Sequence, residues 1–223
     1  MRNAVLLLSG GLDSATAGAL LRSSFRLHAL SFRYGQRHAV EIAAAKRVAR
    51  ALGIREQRIV TLDLAAFGGS SLTNMRIPVP KRRRIGKSIP STYVPARNTV
   101  FLSIAAAFAE TIGARDLVVG FNVLDYSGYP DCRPQFLRAF ERVLAAGTKS
   151  GAAGARWKIH APLLKMSKAQ IIGAAVRAGL DLSMTHSCYD PDARGRACGA
   201  CDSCMIRKQG FREAEMADPT RYG

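Results

Sequence analysis

Two short stretches of this 223-residue chain carry residue types in spacings that chemistry would use. The first is Cys188-x9-Cys198-x2-Cys201-x2-Cys204, which gathers four of the five cysteines near the C-terminal end of the sequence. Four soft thiolates, two of them separated by tight turns, suit a tetrahedral metal. A structural Zn²⁺ is the expected occupant, with an iron–sulfur cluster as the rival, since ferredoxin runs also use C-x2-C-x2-C. The ferredoxin pattern has its fourth cysteine downstream and followed by proline, whereas Met205-Ile206-Arg207 follow here. A disulfide staple is the third reading, and it is disfavoured if the thiols are kept reduced. Cys132 stands apart and reads as a partly buried free thiol.

The second stretch is Ser9-Gly10-Gly11-Leu12-Asp13-Ser14, placed between an apolar strand-like run and a helical pattern. A glycine turn that feeds a helix leaves backbone N–H groups pointing outward and adds the positive end of the helix dipole, so it suits a phosphate. Ser9 and Ser14 offer hydroxyls, and Asp13 is placed to cap the helix or to help hold Mg²⁺. The pattern is neither GxxxxGK[ST] nor GxGxxG, and the loop has no lysine for the β- and γ-phosphates. A plain tight turn is the simpler alternative.

Three polar, aromatic-rich stretches separate these motifs: Phe32–His38 with Tyr34 and Gln36, Tyr93–Asn98 with Tyr93, Arg97 and Asn98, and Asp125–Arg133. In the last, Tyr126 and Tyr129 suit stacking on a planar heterocycle, while Asp125, Asp131 and Arg133 suit reading its edge or a carboxylate. The same residues are also ordinary turn formers.

Stepping outward, the elements that must position these residues alternate. Ala4–Leu8, Arg26–Phe32, Gln57–Leu62, Asp116–Phe121 and Trp157–Ala161 read as strands. Asp13–Ser23, 39–52, 98–112, a segment around Phe136–Leu144 and one from Ser167 to Gly179 read as helices. Ser167-Lys-Ala-Gln170 has the form of a capping box. This rhythm predicts an α/β fold with a doubly wound parallel sheet over about 1–180, a long functional or disordered loop at 64–92, and a small C-terminal metal-binding segment over 181–223.

The bulk numbers bound the function. Lys and Arg total 33 against 16 acidic residues, a net charge of +17, and 25 of the cations are arginine. The positives are scattered apart from the run Lys81-Arg82-Arg83-Arg84 in the loop that extends to Lys87. They imply either a field for anions such as nucleotides or nucleic acid, or an arginine-biased solvated surface. No apolar run approaches the ~18 residues of a membrane span, and the five apolar residues Ala4–Leu8 are too few for a signal-peptide core. A cytoplasmic location is expected, with no membrane partner.

SGGLDS in this position resembles the N-type ATP pyrophosphatase (PP-loop) family, which adenylates a carbonyl oxygen and releases pyrophosphate. The resemblance implies an adenine nucleotide alpha hydrolase-like fold. It places ATP, with Mg²⁺, at Leu8, Ser9, Gly10, Gly11, Leu12, Asp13, Ser14, Ala15, Thr16, Ala17 and Gly18, with Asp13 and Ser14 nearest the chemistry. YGQRH, GGSSLTN, YVPARNTVFLS, DYSGYPDCRP, the Ser167-Lys-Ala stretch and SCY…CGxCDSC…GF follow in order. Together they resemble the 7-cyano-7-deazaguanine synthase (QueC) family over nearly the whole chain. That narrower resemblance implies structural zinc on the four cysteines, a homodimer, and an amide-then-nitrile synthesis from a deazapurine acid, ammonia and ATP. Nucleic-acid binding is then weak or non-specific. The Lys81–Lys87 run is no recognised part of the pattern, and it leaves room for a relative that acts on RNA or attaches the deazaguanine to a macromolecule.

Overall fold

Alternation of apolar side chains decides how the first strand is used. In β1 (Arg2–Leu7), Ala4 and Leu6 enter one hydrophobic cluster while Val5 and Leu7 enter the other, and all four are buried. A strand apolar on both faces belongs inside a parallel sheet covered by helices. The computed structural model, which describes residues 1–37, 40–82, 88–124 and 129–223, shows that arrangement. The other elements are α1 (Leu12–Leu21), β2 (Phe25–Arg33), α2 (Val40–Ala51), β3 (Gln57–Thr61), α3 (Arg97–Thr111), β4 (Asp116–Val118), α4 (Pro134–Gly147), the short α5 (Lys149–Ala152), β5 (Lys158–His160), α6 (Lys168–Arg177) and α7 (Asp202–Glu213).

The sheet runs β3-β2-β1-β4-β5 with every neighbouring pair parallel, and Leu6 lies opposite both Ala29 and Val118. The chain winds outward from β1 in one direction and then returns to build β4 and β5 on the other side. The two directions part between β1 and β4, and a crevice at the C-terminal ends of these strands is where such sheets take ligands. On one face α1, α2 and α6 pack Ala15, Val48, Ile171 and Ile172 against Leu6, joined by Phe211 of α7. On the other, Leu102 and Ala105 of α3 and Leu137 and Phe140 of α4 cover Val5 and Leu117.

The structure differs from the sequence expectation at four places. β4 ends at Val118 rather than at Phe121, because the chain must pass against α1: a Cβ on Gly120 would lie 2.5 Å from the backbone nitrogen of Ser14. β5 loses Trp157, whose Nε1 donates instead to Thr148 Oγ1 at 2.9 Å. The described residues of the 64–92 segment include the buried Leu64, Leu72 and Val79, so this part is packed rather than loose. Helix α7 was not foreseen, since its apolar residues are too few to show a helical stripe. Of the basic run only Lys81 and Arg82 lie among the described residues; 83–87 lie outside them, as does Ala39 at the expected start of α2. The capping box is present: Ser167 Oγ accepts from Gln170 N at 3.2 Å and Gln170 Oε1 accepts from Ser167 N at 2.8 Å.

Among the described residues no helix is long and apolar enough to cross a membrane. Leu102, with no exposed surface, anchors the α3 side of the sheet. Leu102→Ala is expected to cost about 2–5 kcal/mol, read as a lower urea midpoint with an unchanged m-value.

Candidate active site and cysteine centre

The phosphate-type loop is built where β1 leaves the sheet. Leu8 N donates to Leu30 O at 2.8 Å and Ser31 Oγ donates to Leu8 O at 2.7 Å, so the loop starts from a fixed point. Gly10 then turns with φ +87°, where a Cβ would meet Ala45 N at 2.5 Å and Glu41 O at 2.6 Å. Only glycine fits there. Ser9 and Ser14 face each other, Oγ to Oγ, at 3.0 Å, and Ser9 Oγ accepts from Gly11 N at 3.3 Å. The cap of α1 is Gly11, with no side-chain cap bond, so the capping role weighed for Asp13 is not the one it takes.

Asp13 sits in the first turn of α1 and its Oδ1 receives Lys168 Nζ at 2.6 Å. The cation that the loop's own sequence lacks is thus delivered from the N-terminus of α6, 155 residues later. Gly210 of α7 makes room for its stem, since a Cβ at that position would lie 2.2 Å from Lys168 Cγ. The chain between α6 and α7 buttresses the loop again: His186 N donates to Gly10 O at 2.9 Å, and Leu12 N donates to Ser187 Oγ at 3.4 Å. Ala15 and Ala17 have no exposed surface, Thr16 Oγ1 is spent on Leu12 O at 2.8 Å, and Gly18 packs on Leu6 and Leu52. Of the Leu8–Gly18 segment, the cavity wall takes Leu8, Ser9, Gly11, Leu12, Asp13 and Ser14.

One cavity of about 260 Å³ runs from this loop to an aromatic lobe. Among the residues expected from the sequence, Tyr34, Arg97, Asn98 and Tyr129 line it. The guanidinium of Arg97 lies 5.8 Å from the centre of the Tyr34 ring and 5.9 Å from that of Phe101, and Phe101 stacks on Phe32 at 3.9 Å. Burial pushes the Tyr34 phenol up to about 12, so it stays protonated as a donor. Tyr129 Oη shares a 2.9 Å hydrogen bond with Thr92 Oγ1.

The other expected residues hold the wall from behind. Gln36 accepts from Tyr34 N at 2.7 Å and donates to Phe32 O at 3.0 Å. Tyr93 Oη accepts from Ala96 N at 3.1 Å, beside the left-handed Ala96 that opens α3. Asp131 Oδ2 accepts from Asn98 N at 3.2 Å and so ties down the start of α3, while Arg133 caps α4 through its backbone. Asp125 and Tyr126 lie outside the described residues. Cys132 lines the cavity and takes Asn98 Nδ2 at 3.3 Å; burial and then the Asp131 charge push its thiol up to about 12, which disfavours the thiolate.

Sequence reasoning missed Lys168, Glu41 and Tyr189, all in the cavity wall. Lys168 was visible in the capping box and Tyr189 beside Cys188, both within stretches that carry the family resemblance, but neither was given a role. Glu41 follows the YGQRH stretch and carried no signal of its own.

Behind Tyr189 the sulfur atoms of Cys188, Cys198, Cys201 and Cys204 all lie within 4.8 Å of one another. Backbone N–H groups converge on them: Asp190 and Cys198 donate to Cys188 at 3.3 and 3.2 Å, and Cys201 donates to Cys198 at 3.3 Å. Such donors favour thiolates and orient ligands, so the group could hold a metal ion. The centre also clasps the 64–92 loop. Lys81 bridges to Cys201, Arg82 N donates to Ala200 O at 2.9 Å, and Val79 packs among the cysteines. From the other side Arg37 donates to the carbonyls of Ser71, Asn74 and Ile77.

A parallel α/β sheet with a lysine-less glycine loop at its switch point is the architecture of the PP-loop class. Two solved structures share the fold: the predicted subunit of a tRNA methyltransferase from Methanocaldococcus jannaschii, at TM-score 0.51 and 14% identity over 100% of this chain and 93% of that one, and NMN synthetase from Francisella tularensis, at 0.51 and 14% over 97% and 78%. The model of the family described as queuosine biosynthesis protein QueC matches residues 3–215, and the chain belongs to that family. Among its relatives are proteins named 7-cyano-7-deazaguanine synthase from Methylococcus capsulatus, 56% identical over 223 residues, covering 100% of this chain and 99% of that protein, and from Thiobacillus denitrificans, 56% over 220 residues, covering 98% and 97%.

The contact between Gly210 and Lys168 gives a direct test. Gly210→Ala is expected to lower unfolding free energy by about 1–3 kcal/mol through overpacking. Gly147→Ala, at a helix end with nothing within 4 Å of its Cβ, should leave stability unchanged or slightly raised. Thermal melts of the two variants decide it.

Proposed function

We propose that this protein converts 7-carboxy-7-deazaguanine and ammonia to 7-cyano-7-deazaguanine, consuming ATP and releasing AMP and pyrophosphate. The observation that carries the reading is the single cavity that joins a phosphate loop to an aromatic, arginine-bearing lobe. A nucleotide and a planar acid can meet in it. The names of the relatives, at 56% identity over full length, supply the product.

The chemistry fits the walls. A carboxylate oxygen leaves poorly, and transfer to the α-phosphorus of ATP makes it part of AMP, which leaves well. Ser9, Ser14 and the N–H groups of the loop donate to the phosphates while Lys168 offsets negative charge. Asp13 is the residue placed to hold Mg²⁺, an ion that takes few protein ligands and accompanies the nucleotide. When bound, that ion would neutralise phosphate charge. Tyr34, Phe101 and Tyr129 hold the ring in one place while only its exocyclic group changes, and Arg97 is aimed to steady the acid. Ammonia displaces AMP to give the amide. A second adenylation, on the amide oxygen, followed by loss of AMP and a proton, gives the nitrile.

The cysteine group fits structural Zn²⁺. Bonds of ~2.3 Å to sulfur in a tetrahedron require sulfurs roughly 3.8 Å apart, and the observed cluster lies within 4.8 Å with three of its four cysteines buried. Cys188, Cys198, Cys201 and Cys204 would hold the ion with no open position, so its contribution is to folding and to the clasp on Lys81 rather than to the reaction. The 181–223 segment is on this reading a metal-stapled extension of the α/β domain. A homodimer, a cytoplasmic location and a reaction independent of nucleic acid complete the proposal.

Mass spectrometry and nucleotide chromatography test the reaction. Two AMP are expected per nitrile, and the synthetic amide should be converted with one. ADP with orthophosphate as the main products, arrest at the amide, or strict dependence on tRNA would each overturn the proposal. For the metal, elemental analysis should find about one zinc per chain in a colourless protein, and Cys201→Ser should lower the melting temperature. Iron with acid-labile sulfide would assign a cluster instead.

A further inference from the structure

A 7-deazaguanine ring presents two adjacent donors, N1–H and the 2-amino group, on its pyrimidine edge. A wall that covers this edge must meet them with an acceptor, because a donor left unmatched there loses its hydration for nothing. Asp131, expected from the sequence to read this edge, holds the N-terminus of α3 and does not line the cavity. The Asn98 side chain is engaged with Arg97, Cys132 and Asp131 O. Arg97 and Lys168 can only donate. The carboxylates that line the cavity among the described residues are Asp13 and Glu41, and Asp13 faces Lys168 at the phosphate end.

We infer that Glu41 is a specificity-determining residue, its carboxylate accepting the N1–H and 2-amino donors of the deazaguanine ring. The inference rests on the reaction proposed above. Three further observations support it. Glu41 stands in the first turn of α2, whose backbone packs on Gly10, so its distance from the phosphate loop is fixed. It lines the aromatic lobe together with Tyr34, Arg97 and Tyr189, where a stacked ring would present its edge. Its surface is only partly covered because it borders the open cavity, yet desolvation is the largest influence on it and raises its carboxyl to about 7, against the opposing effects of Arg97 and Gln36. Its own neighbours therefore under-compensate the charge, and two donors from a ligand would complete it.

Calorimetry and steady-state kinetics on the wild-type protein and Glu41→Gln test this, with 7-carboxy-7-deazaguanine and its analogue lacking the 2-amino group. Glutamine keeps the shape but turns one acceptor into a donor that opposes the ring. The expected result is a Kd for the guanine-type acid weakened about 10- to 100-fold, with the KM for ATP unchanged. The analogue should bind the two proteins with nearly equal, weak affinity. Glu41→Asp, which keeps the charge at a shorter reach, should fall between them, and melting curves should show that both variants are folded. An unchanged Kd, equal weakening of both compounds, or a loss confined to kcat would overturn the assignment while leaving the proposed reaction intact. A wild-type protein that neither binds nor turns over the acid would overturn the reaction itself, and this role with it.

Discussion

The carboxylate of Asp13 stands in a loop whose backbone donors and helix dipole are arranged for anions, so a second negative charge is excluded until Asp13 has a counter-charge. Lys168 provides it, and much of the molecule serves to bring that one ammonium to the loop. The capping box at Ser167 fixes where α6 begins and hence where Lys168 points. Ile171 and Ile172, one turn on, seat the helix in the core beside α1. Gly210 keeps α7 close without touching the lysine stem too hard, and α7 itself starts at Cys201. A chain of contacts therefore leads from the cysteine group through α7 and α6 to the phosphate loop.

The cysteine group acts on the cavity from a second direction. It grips the 64–92 loop through Lys81, Arg82 and Val79, while Arg37 gathers the carbonyls of Ser71, Asn74 and Ile77. That loop brings Leu72 to the cavity wall and Thr92 to Tyr129. The cysteine group thus holds one wall of the site, and Tyr189, next to Cys188, stands between the two.

The sheet was legible in the sequence because buried parallel strands need continuous apolar runs, and Ala4–Leu8 and Arg26–Phe32 have them. The glycine turn and the cysteine cluster were legible for a similar reason: each sets particular residue types at fixed short separations. Helix α7 was not, since its formation depends on the cysteine turn that starts it and on Phe211 reaching the core, neither of which leaves a periodic pattern. Lys168 and Glu41 were missed on the same grounds. Each is a single charged residue on a helix, indistinguishable in sequence from a solvated one, and only the winding of the sheet turns it inward. Asp131 erred the other way: its neighbourhood looked like a binding turn, and the need to satisfy the first N–H groups of α3 claimed it.

The long reach of the contacts on the phosphate loop has a consequence for how the protein is made. Residues 9–14 leave the ribosome well before their partners Lys168, His186 and Ser187, which stand 155 to 175 positions or so further along. At about 5–20 residues per second, the loop waits roughly ten to thirty seconds for them. During that interval β1 can pair with β2, and β2 with β3, but the aspartate in the loop has no ammonium beside it and Gly10 O has no His186 N–H to accept. The loop is therefore braced only when these downstream contacts close.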